Sequence, residues 1–382
     1  MTLHSPAGTR ARFASQRIQV QLVLVFGFLF VLAVLRIPEA LLRAEFWADD
    51  GRLYTDALLH GPASILMPYA GYLLVGTRAV AWLETLVPPR YAPLLGNLVA
   101  LTVLAAVAAF ASSSRMRWDR PTGTMIGVGI VLLPASFQVM GTLSHMQWPA
   151  MLWIALVALS REPASQRGRA AEALGLIAAG LTGPGAVLFL PLFLRSRLRQ
   201  IIVGAVAAVQ TAVILTATSR LPAAGADLAV LPQVLVLHIF TVPLAGPRLS
   251  LPGIVGVGVA AAVAILLTRS TIRWQLAYLL LVPAIAGIIV SEFATASFLD
   301  PWAAPRYFWI PGAALVMLLA TQRSRVVAWP LIALFLIGAT ADFRIAVPSA
   351  GWAENSACIG GATPCVVPVV PGAQWAVQWP GR

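Results

Sequence analysis

The chain has 382 residues, 59% of them hydrophobic and only 10% charged, with 26 basic and 14 acidic side chains and a formal net charge of +12. A soluble domain carries about a quarter charged residues, so a soluble globular protein is excluded. The basic residues are all Arg, and they stand in short runs between apolar segments. That placement marks membrane topology rather than a nucleic-acid surface, and a chain without Lys has no Walker-type phosphate loop to drive an ATP-dependent pump.

Apolar runs long enough to cross a bilayer recur along the chain. The first covers residues 18–36. Its length exceeds the apolar part of a signal peptide, so it is read as an uncleaved anchor. Further spans follow at 91–111, 122–140 and 145–160. Residues 170–194 have Arg at both ends and a break at Thr182-Gly183-Pro184-Gly185, which reads as a short helix pair that enters and turns back. The remaining spans are 201–218, 251–268, 274–293, 307–321 and 326–341. The fold class is therefore an all-α polytopic membrane protein of about 11 membrane segments, including the re-entrant pair.

Orientation follows from charge. The runs Arg10/Arg12/Arg17, Arg115/Arg117/Arg120, Arg161/Arg167/Arg169, Arg195/Arg197/Arg199, Arg269/Arg273 and Arg323/Arg325 hold 16 of the 26 basic residues. Only Asp119, Glu162 and Glu172 accompany them, giving +13 on that face and −1 on the other. Short Arg-rich loops are cytoplasmic, so the N-terminus is inside and the C-terminus outside. Gly123-x-x-x-Gly127 and Gly253-x-x-Gly256-x-Gly258 read as close helix packing.

Three segments lie on the outer side. The loop 38–90 is too long for a turn, and its apolar part 73–87 reads as interfacial or re-entrant, with Trp82 at headgroup level. Residues 219–250 read as interfacial too. The tail 342–382, with its Val run, forms a small strand-containing cap beyond a membrane domain of residues 1–341. Its Cys358 and Cys365 are the only cysteines; a disulfide and two free thiols both fit the sequence.

The candidate chemistry sits in the first outer loop, at Glu45-Phe46-Trp47-Ala48-Asp49-Asp50-Gly51. Two carboxylates at the bilayer edge can take a proton from a hydroxyl acceptor or hold a divalent cation such as Mg or Mn. They can equally cap a helix over residues 51–60. Arg306, at the mouth of the span 307–321 beside Tyr307, can grip a phosphate or snorkel to lipid headgroups. Arg344, Arg78 and Arg248 are weaker candidates of the same kind. His145, beside Gln147 and Trp148, can bind sugar hydroxyls or start a helix, and His60 and His238 carry the same pair of readings. Tyr54, Tyr69 and Tyr72 can stack on a sugar or anchor at the interface. Glu292 stands where an acid needs a partner.

The acid pair after span 1 resembles the motif of the GT-C class of integral-membrane glycosyltransferases. The stretches at 68–73, 180–185 leading to 190–192, and 305–311, together with the outer tail, are similar to bacterial membrane proteins of that type. The resemblance implies transfer of a sugar from a polyprenyl-phosphate donor to a cell-envelope glycan or lipid acceptor on the outer face of the bacterial plasma membrane, with inversion. It implies Asp50 as general base with Asp49 second, Arg306 and Arg344 on the donor phosphate, and Glu45, Tyr54, Tyr69, Tyr72, His145, Trp148 and Tyr307 around the substrate. Asp49 and Asp50 would be the ligands of any metal. A transporter or flippase of a lipid-linked glycan, or a non-catalytic assembly subunit, would share the topology. The partners expected are that donor and acceptor and the membrane lipids, with no nucleic acid.

Overall fold

A computed structural model describes residues 6–217, 227–249, 253–291, 293–322, 325–372 and 375–381, with the backbone alone for residues 6–19 and Arg325. Glu292, Arg323 and part of the 219–250 segment lie outside the described residues. The fold is mainly helical. Three helices, Pro89–Phe110, Arg197–Thr216 and Arg273–Val290, are long and apolar enough to cross a membrane; shorter apolar helices run over Val20–Arg36, Leu231–Ala245, Gly253–Thr268, Pro305–Ala320 and Val326–Ala341.

Helix α1 (Pro6–Arg36) packs along α5 (Ala92–Phe110), and α5 along α6 (Arg120–Leu132). Asp119 caps α6 by accepting the Thr122 N–H at 2.9 Å. The α5–α6 contact is close because Gly123 and Gly127 lie directly against the carbonyls of Ala111 and Ala108, where a side chain would clash. Between α1 and α5 come α2 (Glu39–Leu42), α3 (Ala48–His60) and α4 (Val75–Glu84).

Helix α6 ends at Leu132 instead of continuing to residue 140. Leu133 precedes Pro134, which drives it to an extended conformation (φ −53°, ψ 122°). Ala135 is then left-handed at φ 57°. Residues 133–146 therefore form an irregular segment that leads through a 3₁₀ turn, Ser144–Met146, into α7 (Gln147–Leu159).

The Gly-Pro break interrupts the helix where the sequence places it. Helices α8 (Gln166–Gly180) and α9 (Gly185–Phe189) meet at Thr182–Gly183, and this tip docks on the 38–90 loop. Val75 N–H donates to Leu181 O at 2.9 Å, and Gly76 N–H to Thr182 Oγ1 at 3.0 Å. Gln210, buried in α10 (Arg197–Thr216), locks the joint. It donates to the carbonyls of Leu73, Gly180 and Gly183 at 3.0–3.1 Å and accepts the Leu73 N–H at 3.0 Å. Gly183 sits at φ +129° against Gln147, a conformation open only to glycine. The other ends of the pair come back together: Glu172, early in α8, takes two hydrogen bonds from Arg199, early in α10, at 2.7 and 3.0 Å. Arg115 joins the same carboxylate, and its guanidinium bonds Arg161 O at 3.0 Å.

The second half holds α11 (Leu231–Leu235), α12 (Val242–Ala245), α13 (Gly253–Thr268), α14 (Arg273–Val290), α15 (Trp309–Ala320) and α16 (Arg325–Ala341). A π turn, Val236–Thr241, joins α11 to α12. Its His238 is a core residue, bonded to Phe298 O at 2.6 Å and stacked on Phe308 at 4.2 Å.

The tail carries α17 (Trp352–Asn355) and an antiparallel pair, β1 (Cys365–Pro368) and β2 (Ala376–Trp379), with Cys365 opposite Trp379. Cys358 and Cys365 are disulfide-bonded. The tail shares a core with the first outer loop: Phe46, Tyr54, Trp352, Val367, Val369 and Val377 are all buried together. Val370 N–H donates to Phe46 O at 3.0 Å.

Candidate functional site

Helix α3 begins at Ala48, three residues earlier than the sequence suggests, so Asp50 sits within its first turn rather than ahead of it. Its carboxylate is buried and faces away from solvent. Oδ1 accepts the Ser144 N–H at 2.6 Å, and Oδ2 accepts the Leu143 N–H at 3.2 Å and the Trp47 N–H at 3.4 Å. Asp50 thus fastens the irregular 133–146 segment to α3. Burial pushes its carboxyl up to about 6, helped by the charge of Asp49 and opposed by the N–H donors of Ser144 and Leu143. Behind it lies Glu84, fully buried, with no hydrogen-bond partner for either oxygen among the described residues. Burial, with the neighbouring Asp50 charge, holds that carboxyl well above its ordinary range.

Asp49 differs. It is half-buried, and Oδ1 accepts the Tyr69 hydroxyl. Tyr69 and Tyr72 close a tight turn, each N–H reaching the other's carbonyl at 2.8 and 3.1 Å. Its central residues Ala70 and Gly71 lie at φ 50° and 88°, the pattern of a type I′ turn. The turn sets the two tyrosines side by side. The guanidinium groups of Arg52 and Arg78 lie 5.6 and 5.9 Å from the Tyr69 ring centre, and Arg78 is paired with Asp56 at 3.0 Å. Burial, then the charge and hydrogen bond of Asp49, raise the Tyr69 phenol far above its usual range. Tyr72 is pushed up to about 12, chiefly by burial; its hydroxyl meets Gln147 within the fields of Tyr307, Asp49 and Arg306.

Arg306 comes from the opposite half of the chain. It donates to Gln138 Oε1 at 3.0 Å and lies 4.9 Å over the Tyr307 ring. The Tyr307 ring meets Trp148 edge-on at 5.7 Å, and Trp148 Nε1 is a buried donor with no partner among the described residues. His145 is buried beside them, its Nδ1 3.0 Å from Thr142 Oγ1. Seven of the expected residues, Asp49, Tyr69, Tyr72, His145, Trp148, Arg306 and Tyr307, therefore converge, with Asp50 behind them.

Three do not. Glu45 is turned onto the tail, where it accepts from Ser349 Oγ at 2.6 Å and from the Gly351 and Trp352 N–H groups at 3.2 Å. Tyr54 is buried between Phe46 and Trp352, at ring distances of 4.9 and 6.0 Å. Arg344 is exposed and donates to Leu35 O, at the end of α1, at 3.0 Å. Glu45 and Tyr54 face away from the cluster because the tail packs against this flank of α3. Gln138 and Gln147 join the cluster. Gln147 was visible as a neighbour of His145, while Gln138 is one amide in an apolar run with no signal of its own.

The non-glycine residues with positive φ among the described residues are Ala48, Ala70, Ala135 and Ala304, at φ 25°, 50°, 57° and 42°. One stands beside each segment of the cluster: before Asp49, inside the tyrosine turn, at the start of the 135–144 segment, and before Pro305–Arg306. A left-handed L-residue costs about 1 kcal/mol or more. Four such positions around one site mark where backbone preference yields to placing side chains.

A divalent cation takes about six oxygen ligands. Both oxygens of Asp50 are spent on backbone N–H groups, and one oxygen of Asp49 accepts the Tyr69 hydroxyl, so the pair offers a cation at most one unengaged carboxylate oxygen among the described residues. Among the described residues no group of three His, Cys, Asp or Glu side chains stands together. The donor set present does not fit a dedicated metal site. No family model, no curated protein and no solved structure matches this chain.

Proposed function

We propose that this protein is a GT-C-like glycosyltransferase that moves a sugar from a polyprenyl-phosphate donor to a glycan or lipid hydroxyl at the outer face of a bacterial plasma membrane. In this reading the chain has about eleven membrane segments, with the N-terminus inside and the C-terminus outside. The meeting of Arg115, Arg161, Glu172 and Arg199 at one end of the molecule supports that sidedness, as does the acid pair lying beyond the tip of the re-entrant helices.

The observation that carries the reading is a carboxylate and a guanidinium with unspent hydrogen-bonding capacity on either side of Tyr72. The acceptor oxygen attacks the anomeric carbon as the bond from that carbon to the phosphate oxygen breaks. The acceptor proton passes to a carboxylate, and the departing polyprenyl phosphate keeps the electron pair. In-line displacement inverts the anomeric centre. Asp49 is the general base, in place of Asp50, because Asp49 Oδ2 is free among the described residues whereas both oxygens of Asp50 already accept N–H bonds. Arg306 takes the charge on the leaving phosphate, held in place by Gln138 and Tyr307.

The test is sugar transfer by purified protein from a panel of polyprenyl-phosphate sugars to an envelope extract. Asp49→Asn should abolish turnover, by about 10²-fold or more, the scale of general-base catalysis, while donor binding persists. An active Asp49→Asn enzyme would remove the base assignment. Wild-type protein that moves intact lipid-linked glycan across vesicles without releasing polyprenyl phosphate would favour the flippase reading, and neither activity would leave an assembly subunit.

A further inference from the structure

We propose that the cleft between α8 and α10 binds the phosphate headgroup of an anionic phospholipid from the surrounding bilayer. The first observation is charge. Arg169 lines the cleft, Arg161, Arg167, Arg195 and Arg197 stand in the segments that lead into it, all five are exposed, and none makes an ion pair among the described residues. The acids at hand are already engaged: Glu172 is buried between Arg115 and Arg199, and Glu162 accepts the Ser196 hydroxyl at 2.6 Å. One unpaired guanidinium in the cleft with four more in the flanking segments favours an anion.

The second observation is shape. Arg169, Ser196 and Arg199 line a crevice between the two helices together with the engaged carboxylates of Glu162 and Glu172, and the first turns of α8 and α10 contribute to it through Arg169 and Arg199. Helix N-termini carry partial positive charge and add to the attraction for phosphate.

The third observation separates a lipid from a free anion. Directly beside the arginines, the helix surfaces are apolar and exposed: Leu174 at 69%, Leu194 at 68%, Leu198 at 52% and Ile201 at 60%. A headgroup in the crevice would lay its acyl chains along these residues. Basic pockets between membrane helices recognise anionic headgroups in this way, and guanidinium forks suit phosphate better than a point charge does.

The experiment follows thermal unfolding of the full chain in neutral detergent during titration with short-chain phosphatidylglycerol, short-chain phosphatidylcholine or inorganic phosphate. Phosphatidylglycerol should raise the midpoint saturably, an effect weakened by salt; phosphatidylcholine should not. Arg169→Gln/Arg197→Gln should weaken the apparent affinity by about fivefold per arginine removed, and Arg90→Gln, on an exposed arginine of the first outer loop, should not change it. If the double variant fails to fold, the two single variants carry the test. Equal responses to both lipids, a full response to phosphate alone, or undiminished phosphatidylglycerol binding by the variants would each overturn the proposal. None of these readouts depends on glycosyl transfer.

Discussion

Asp50→Asn offers a test in which sign and size both follow from the burial of the side chain. The wild-type carboxyl titrates near 6 in the folded protein against 3.8 when unfolded. Between those values the native state holds more protons than the unfolded state, so raising the pH costs stability. The contribution is fully present below about pH 4 and is lost as the pH passes 6. At about 1.4 kcal/mol per pH unit, a shift from 3.8 to about 6 amounts to about 3 kcal/mol. Asn has nearly the same shape and does not titrate. One of its N–H groups must face the Leu143 or Ser144 N–H, a penalty of about 1–3 kcal/mol, but that penalty is independent of pH. Unfolding of wild type and variant, followed by the fluorescence of the 12 Trp residues, should therefore show a smaller loss between acid and neutral pH in Asp50→Asn, by about 3 kcal/mol. Glu84→Gln should flatten the profile in the same direction, since burial raises that group too. A variant as pH-dependent as wild type, or a wild type that gains stability from pH 4 to 6, would refute the argument that Asp50 is a strained, buried carboxylate.

Arg36→Ala should be among the most damaging single changes. Its guanidinium bonds the carbonyls of Val131, Leu133, Asp342 and Phe343 and the Ser136 hydroxyl, tying α1 to both the 133–146 segment and the tail. Losing it strands buried acceptors at a cost of about 3–5 kcal/mol, read as a lowered unfolding midpoint that Arg36→Lys does not restore. Arg306→Ala should cut transfer by about 10²-fold or more without lowering the midpoint, because this arginine makes one side-chain hydrogen bond, to Gln138; an unchanged rate would exclude it from the donor site. Glu45→Ala should free the tail, since it holds Ser349, Gly351 and Trp352. Limited proteolysis after residue 345 should speed up, and resistance equal to wild type would show that the shared aromatic core suffices alone.

Elements governed by composition and charge were legible in the chain; those governed by which way a side chain turns were not. Thr182-Gly183-Pro184-Gly185 was enough to place the break between α8 and α9, because a Gly-Pro step interrupts a helix whatever the packing. The strand-containing tail followed from its Val run. By contrast, residues 133–140 read as membrane helix because periodicity counts apolar residues, and the departure there rests on Pro134 and a left-handed Ala135. The site split the same way. Asp49 and Asp50 are adjacent and chemically identical, but successive residues of a helix point about 100° apart, so one faces the cluster and the other the backbone of Leu143 and Ser144. Tyr54 and Tyr69 are the same residue type in the same loop. One meets Trp352 and the other Asp49, a difference decided by a tail some 300 residues away.

The distribution of spent and unspent polar groups bears on the choice between transfer and transport. A carrier must offer partners to a polar headgroup along its path through the bilayer. Here Gln210, buried in the long apolar helix α10, has its carbonyl and amide taken up by Leu73, Gly180 and Gly183, so it welds the α8–α9 tip to the 38–90 loop and offers nothing to a passing solute. Asn97 in α5 is likewise bonded to Ala40 O at 2.9 Å. In the candidate site, Asp49, Arg306 and Trp148 Nε1 have capacity to spare and lie among the four strained alanines. Spare capacity clustered around one turn suits chemistry on a donor bound there. On this argument, an alanine in place of Gln210 should impair folding rather than selectivity, and a variant that folds normally but changes which lipid-linked glycan crosses the membrane would turn the argument toward transport.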